Sequence, residues 1–208
     1  MFEKIEKRFR DIEPDVDFCS LRIASERIEV VRVRQDVLQP VQSGVDRGAM
    51  VTILHHGGMG YAATSDLSTS GLTAAIEQAK GWADRSRRAS VVNFGEVTTT
   101  TPTGRYRSAV ERPWEDTPLG DKIDLARTEC AKLKVDDRIV DWSAMLWFTG
   151  VEQLYLTTGG GRVEQEFQYL VPALQVSANE GAETVGRSFG GFDLGRQGGL
   201  EVLDRIRY

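Results

Sequence analysis

His55 and His56, the only two histidines in the chain, stand side by side and run straight into Gly57-Gly58. Imidazole ligates metals and moves protons near neutral pH, so this pair is the first place to look for chemistry. A metal-binding helix would space its histidines a turn apart, with a glutamate beside the first. No His-Glu-x-x-His or comparable pattern occurs. Neighbouring residues on a strand point to opposite faces, which keeps two adjacent imidazoles from one ion. The pair therefore reads as polar turn residues, with a lone ligand supplied to another domain as the remaining reading.

Other residue sets are weaker. Ser43-Gly-Val-Asp-Arg-Gly48 allows a loop whose amides contact a peptide, with Arg47 on a peptide carboxylate. The favoured reading is a tight turn. Gly44 and Gly48 would supply unusual dihedrals, Asp46 would bond its own backbone, and Arg47 would pair near Asp46. Gly57-Gly-x-Gly60 lacks the Gly-Lys-Ser/Thr of a phosphate loop and reads as a hairpin. Glu164 and Glu166 alternate on one strand face, with Glu152 nearby. Paired carboxylates can do acid–base work, but a solvated strand face is the simpler reading. Ser188 lacks the Gly-x-Ser-x-Gly elbow of a hydrolase nucleophile. Cys19 and Cys130 have no local base and read as reduced, half-buried thiols. Ser43, Asp46, Arg47, His55 and His56 are thus candidate peptide contacts, and no catalytic or metal-binding residue is assigned.

The 208 residues carry a net charge of −5, with 40% hydrophobic and 27% charged residues. That is ordinary for a globular protein. No apolar run approaches the ~20 residues that cross a bilayer. The N-terminal stretch is charged and lacks the apolar region of a signal peptide, so a cytoplasmic location is the default. Arg85, Arg87 and Arg88 form a short basic cluster suited to a helix C-terminus. Arg105 and Arg107 form another. Neither makes a broad positive surface, so direct nucleic-acid binding is not expected.

The elements that would position these residues follow from periodicity. Phe2, Ile5, Phe9 and Ile12 recur at helical spacing before Pro14. Short β-like runs follow at 18–24, 28–33, 37–42, 49–54 and 59–64, spaced too tightly for parallel crossovers. Leu72, Ala75, Ile76, Ala79, Trp82 and Ala83 make a helical apolar stripe, with Ser68 or Ser70 as its cap. Residues 89–116 read as a long segment draped over the surface, pinned at Tyr106 and Trp114, or as a flexible linker. A third helix starts near Thr117-Pro118 with Pro118 at its first position. Leu119, Ile123, Ala126, Cys130 and Leu133 line one face of it. Runs at 140–148, 153–158, 163–170, 173–178 and 184–188 follow, with a turn at Gly159-Gly-Gly161. Leu200, Leu203 and Ile206 look like the start of another helix. The order helix–strands–helix, then helix–strands, argues an α+β fold of antiparallel meandering sheet covered by helices.

Three stretches together resemble the N-terminal domain of the TldD/PmbA family, zinc-dependent peptidases also described as modulators of DNA gyrase. They are Ser43-Gly-Val-Asp-Arg-Gly48, Gly57-Gly-Met-Gly-Tyr-Ala-Ala-Thr-Ser-Asp-Leu-Ser68, and Arg162-Val-Glu-Gln-Glu166 leading to the 181–191 segment. Gly104-Arg-Tyr-Arg-Ser-Ala-Val110 is similar to the linker of the TldD branch. The resemblance implies a family N-terminal domain over residues 1–191, with 192–208 opening a connection to a C-terminal domain. That second domain would hold zinc on a His-Glu-x-x-x-His helix. It also implies a peptide or unfolded-protein substrate, and a homodimer or a heterodimer with a PmbA-like subunit. This chain would enclose substrate, contact a subunit, need no cofactor of its own and be inactive alone. A standalone binding or scaffold module, or a topoisomerase-associated regulator, are the competing readings.

Overall fold

Valine, isoleucine and aromatic residues, alternating with polar ones, favour a pleated surface buried on one face. In the computed structural model, which describes residues 2–206 and 208, they build longer strands than the sequence pattern suggests. In chain order the elements are α1 (Phe2–Asp11), β1 (Phe18–Arg34), β2 (Val37–Leu38), β3 (Gln42–His55), β4 (Gly58–Thr64), α2 (Thr69–Ser86), β5 (Thr103–Arg107), α3 (Leu119–Lys132), β6 (Ile139–Thr157), β7 (Arg162–Glu180), β8 (Glu183–Gly190), β9 (Arg196–Gln197) and α4 (Glu201–Ile206). The described strands form a single antiparallel sheet in the order β4-β3-β1-β6-β7-β5. β2 pairs with β1, and both β8 and β9 pair with β7. The expected α+β class is the observed one.

Several boundaries differ, each for a local reason. The runs at 18–24 and 28–33 fuse into β1, and the later runs fuse pairwise into β6 and β7. Pro172 does not interrupt β7. It falls between the β9 ladder at 169–170 and the β8 ladder at 173–180, where no strand on that side asks for its missing N–H. The 37–42 run is not one strand: Val37–Leu38 form β2, and Gln42 already opens β3. β2 folds back on β1 through Gln35 and Asp36, whose φ values of 50° and 60° make a mirror-type hairpin turn. Residues 43–48 are not a turn. They lie inside β3, and neither Gly44 nor Gly48 takes a positive φ. Residues 89–116 are not merely draped, because they contribute β5 to the sheet and bury Trp114. Pro118 caps α3 rather than opening it.

The chain divides into two compact units. One takes the chain up to Ser25, Asp46–Tyr106 and Val151–Glu166; the other takes Glu26–Val45, Arg107–Gly150 and Phe167 onward. In the first unit α1 and α2 lay Ile5, Phe9, Leu72, Ile76, Ala79 and Ala83 over Leu21 and Ile23 of β1, Val51 and Ile53 of β3, and Leu154 and Leu156 of β6. The alternate spacing on the strands and the i, i+3, i+4 spacing on α2 are the two periodicities that make such a layer possible. Ser68 caps α2, its Oγ accepting from the Gly71 N–H at 3.2 Å. Trp82 falls outside the buried stripe, 47% exposed, with Arg85 over its ring. In the second unit α3 and α4 cover Val31 and Val33 of β1 and Ala144, Leu146 and Phe148 of β6. Leu200, Val202 and Leu203 are part of that core.

Candidate functional site

The β3–β4 ladder runs from the pair Ala49–Thr64 to His55–Gly58, leaving His56 and Gly57 as a two-residue turn. Their φ values are 50° and 80°, the left-handed pair that suits the twist of a hairpin. This overturns the premise that the two imidazoles point apart. Strand alternation stops at His55, and the left-handed backbone at His56 swings its ring back. The rings stack with centroids 3.8 Å apart and planes 25° from parallel.

Two carboxylates attend them. Asp17 accepts the His56 N–H at 2.7 Å through Oδ2, and its Oδ1 lies 4.0 Å from His55 Nδ1. That nitrogen is buried and has no hydrogen-bond partner. Asp84, near the end of α2, brings a carboxylate oxygen into a cluster in which the donor atoms of His55, His56 and Asp84 lie within 4.8 Å of one another. Arg87 Nη1 stands 3.5 Å from His56 Nδ1. The end of α2 is held here by Ser86, whose Oγ donates to the Met59 carbonyl at 2.7 Å and accepts the Met59 N–H at 2.9 Å.

Ser43, Asp46 and Arg47 are exposed on β3, ahead of the first β4 pair at Ala49. Asp46 Oδ1 accepts the Arg47 N–H at 2.8 Å, so Asp46 does bond the adjacent backbone, though from a strand. Arg47 Nε donates to the Ser25 hydroxyl at 3.2 Å instead of joining a carboxylate beside Asp46. At about 3.3 Å per residue, the eight positions between Arg47 and His55 span about 26 Å. The five candidates are therefore not one site.

The remaining candidates are structural. Glu164 accepts from Arg162 Nη2 at 3.0 Å and lies 3.3 Å from Arg105 Nη2, while Arg162 Nε donates to Glu6 at 2.9 Å. Glu164 thus lies half-buried between two guanidiniums and not on a solvated strand face. Ser188 sits in regular strand opposite Gln175. The sequence pattern gave no sign of Arg162 as the clamp, because its partners come from residues 6 and 164. It was equally silent on the Glu29–Lys122 pair (3.0 Å), where an amphipathic-helix pattern leaves no place for a buried lysine.

Both cysteines are fully buried, not half-buried. Burial, helped by the charge of Glu13, pushes the Cys19 thiol up to about 12, and burial raises Cys130 as well. The thiolate is the reactive form, so neither is poised as a nucleophile. Ellman's reagent at pH 8 is expected to label neither cysteine in the native chain and both in denaturant. Rapid native labelling would show an exposed thiol and contradict this packing.

No helix among the described residues is long and apolar enough to cross a membrane. Comparison with known proteins finds relatives in sequence and in fold. Over 199 residues the chain is 27% identical to a metalloprotease of Methanothermobacter thermautotrophicus, covering 94% of this chain and 41% of that protein. It is similar in structure to TldE from Thermococcus kodakarensis, with TM-score 0.70 and 17% identity over 98% of this chain and 45% of the other. A candidate modulator of DNA gyrase from Bacteroides thetaiotaomicron gives TM-score 0.69 and 15% identity over 99% and 48%. At such identities the structures speak for the fold alone. The chain spans less than half the length of each of these relatives. Residues 19–83, from β1 through most of α2, match the sequence model of PmbA/TldA metallopeptidase domain 1. Over those residues the chain is recognised as a first domain of the TldD/PmbA type.

Proposed function

We propose that this chain is the substrate-enclosing and subunit-contacting N-terminal part of a zinc-dependent peptidase of the TldD branch. It would act in the cytoplasm, as a homodimer or beside a PmbA-like subunit. The observation that carries this reading is the match of residues 19–83 to the first metallopeptidase domain, joined to an alignment with only 41% of a metalloprotease. Residues 1–191 are taken as the N-terminal domain and 192–208 as the connecting segment. On this reading the zinc-binding helix would lie in the part of the relative that this chain does not match.

The residues present do not fit that zinc site. A His-Glu-x-x-x-His centre needs two histidines a turn apart on one helix. Here both histidines are adjacent at a hairpin turn. No hydrolytic step is assigned to this chain.

What it can supply is a surface for extended peptide. β8 pairs with β7, is exposed from Glu183 through Phe189, and contains no proline or lysine to block a further strand. A peptide added along such an edge is held by backbone hydrogen bonds, with little sequence preference. Ser43, Asp46, Arg47 and His56 are exposed and retained as peptide-contact candidates; the His55 ring is mostly covered. The test is to incubate the 208-residue chain with unfolded casein. Fluorescence anisotropy is expected to register binding, and gels are expected to show intact casein with or without chelator. Chelator-sensitive cleavage by this chain alone, or absence of binding, would overturn the reading.

A further inference from the structure

We propose that His55, His56 and Asp84 form a binding site for a divalent late transition-metal ion such as Zn2+, which fastens the β3–β4 turn to the C-terminal end of α2. Two imidazoles and one carboxylate are a nitrogen-rich set. That set suits Zn2+, Ni2+ or Cu2+ and not the all-oxygen shells of Ca2+ or Mg2+.

The geometry is close to what one ion requires. At Zn–ligand distances of about 2.1 Å, tetrahedral donors sit roughly 3.4 Å apart. The three donor atoms already lie within 4.8 Å of one another. Asp84 and His56 are exposed, so side-chain rotation alone closes the remainder. The backbones need not move. His56 is fixed in the turn by its φ and by the Asp17 bond to its N–H. α2 is latched to β4 through Ser86 and Met59.

A second observation concerns His55 Nδ1, which is buried without a partner. Leaving a desolvated ring nitrogen unpaired is costly unless something completes it. If Nε2 binds the ion, Nδ1 carries the proton and faces Asp17 Oδ1, now 4.0 Å away. Histidine ligands regularly donate their second N–H to a carboxylate in this way, which fixes the tautomer and raises ligand basicity. Asp17 is thus a positioning residue. The C-terminal end of α2 adds partial negative charge on the same side. One group opposes binding: Arg87 is a cation 3.5 Å from His56 Nδ1 and must turn aside.

The test uses the metal-free 208-residue chain titrated with Zn2+ by calorimetry, with Co2+ absorption reporting coordination number. One ion per chain is expected. His56→Asn keeps a residue that tolerates positive φ, and Asp84→Asn keeps the shape; each is expected to weaken binding on the order of tenfold or more. Arg87→Gln is expected to tighten it, which a merely structural arginine would not do. Circular dichroism checks that each variant folds. Equal stoichiometry and affinity in a His56→Asn, Asp84→Asn double variant would put the ion elsewhere. Lack of saturable binding at about 1 mM Zn2+ would refute the site outright. Casein cleavage has no part in this readout, so the outcome is independent of the peptidase assignment.

Discussion

Replacing Trp114 with alanine is expected to cost about 3–5 kcal/mol of folding stability, the range for truncating a large buried aromatic. The indole is 1% exposed and stacks on Phe148, with centroids 5.2 Å apart and planes 3° from parallel. Its Nε1–H donates to Glu29 Oε1 at 2.9 Å, and the same oxygen accepts from Lys122 Nζ at 3.0 Å. Lys122 Nζ also lies 4.1 Å from the indole centroid. Alanine therefore does more than open a cavity. It strips the buried lysine of its π partner and the carboxylate of one donor. Trp114→Phe separates the contributions. It keeps an aromatic ring for the stack, loses the hydrogen bond to a charged group, worth about 1.5–3 kcal/mol, and leaves a smaller cavity than alanine does. Denaturant midpoints at constant m-value give both numbers. A loss below about 1 kcal/mol for Trp114→Ala would mean that the site collapses or that the stack is not formed.

This cluster also shows what a sequence reading reaches. Trp114, an aromatic in a Pro- and Gly-interrupted segment, reads from sequence as a pin. What it pins was not legible, since Glu29, Lys122 and Phe148 come from three distant stretches. The helical faces of α1 and α2 and the α+β order were legible, because period 3.6 and period 2 are written locally. Strand lengths were not. Residues 25–27 and 149–152 look like breaks by hydrophobicity but lie inside β1 and β6, whose length is set by the neighbouring strands. The same limit applies at the histidines. Strand alternation was the right rule for β3, and it fails at His56 because the turn begins there. A His-Gly pair closing an alternating apolar run is a signal for that turn. Its consequence for two stacked rings needs the coordinates.

The other large effect is expected at Gly60. Gly58, Gly60 and Ala62 form the inward face of β4, and α2 lies directly on it. A Cβ on Gly60 would stand 2.1 Å from the Ala79 carbonyl oxygen and 2.4 Å from the Ala83 nitrogen; one on Gly58 would stand 2.0 Å from the Ala83 carbonyl oxygen. These are backbone atoms of a helix, not the ends of side chains that could turn away. Neither glycine has a positive φ, so the requirement is space and not dihedral freedom. The run that reads as a hairpin turn thus has two uses: Gly57 serves the turn, while Gly58 and Gly60 let the helix approach. Gly60→Ala must push α2 outward, lifting Leu72, Ile76 and Ala79 from the layer they complete. Overpacking of this kind costs about 1–3 kcal/mol, and a backbone clash belongs at the top of that range or above it. Gly44→Ala is the matched control. No atom lies within 4 Å of its Cβ position and its φ is ordinary, so restricting the unfolded chain should leave stability unchanged or raise it by about 0.4–1 kcal/mol. Chemical denaturation of both variants decides the matter. Because α2 carries Asp84, the displaced helix should also weaken Zn2+ binding at the turn, whereas Gly44→Ala should leave it intact. If Gly60→Ala were as stable as Gly44→Ala, α2 would not be seated on β4 as described, and the cluster at His55 and His56 would lose its third ligand.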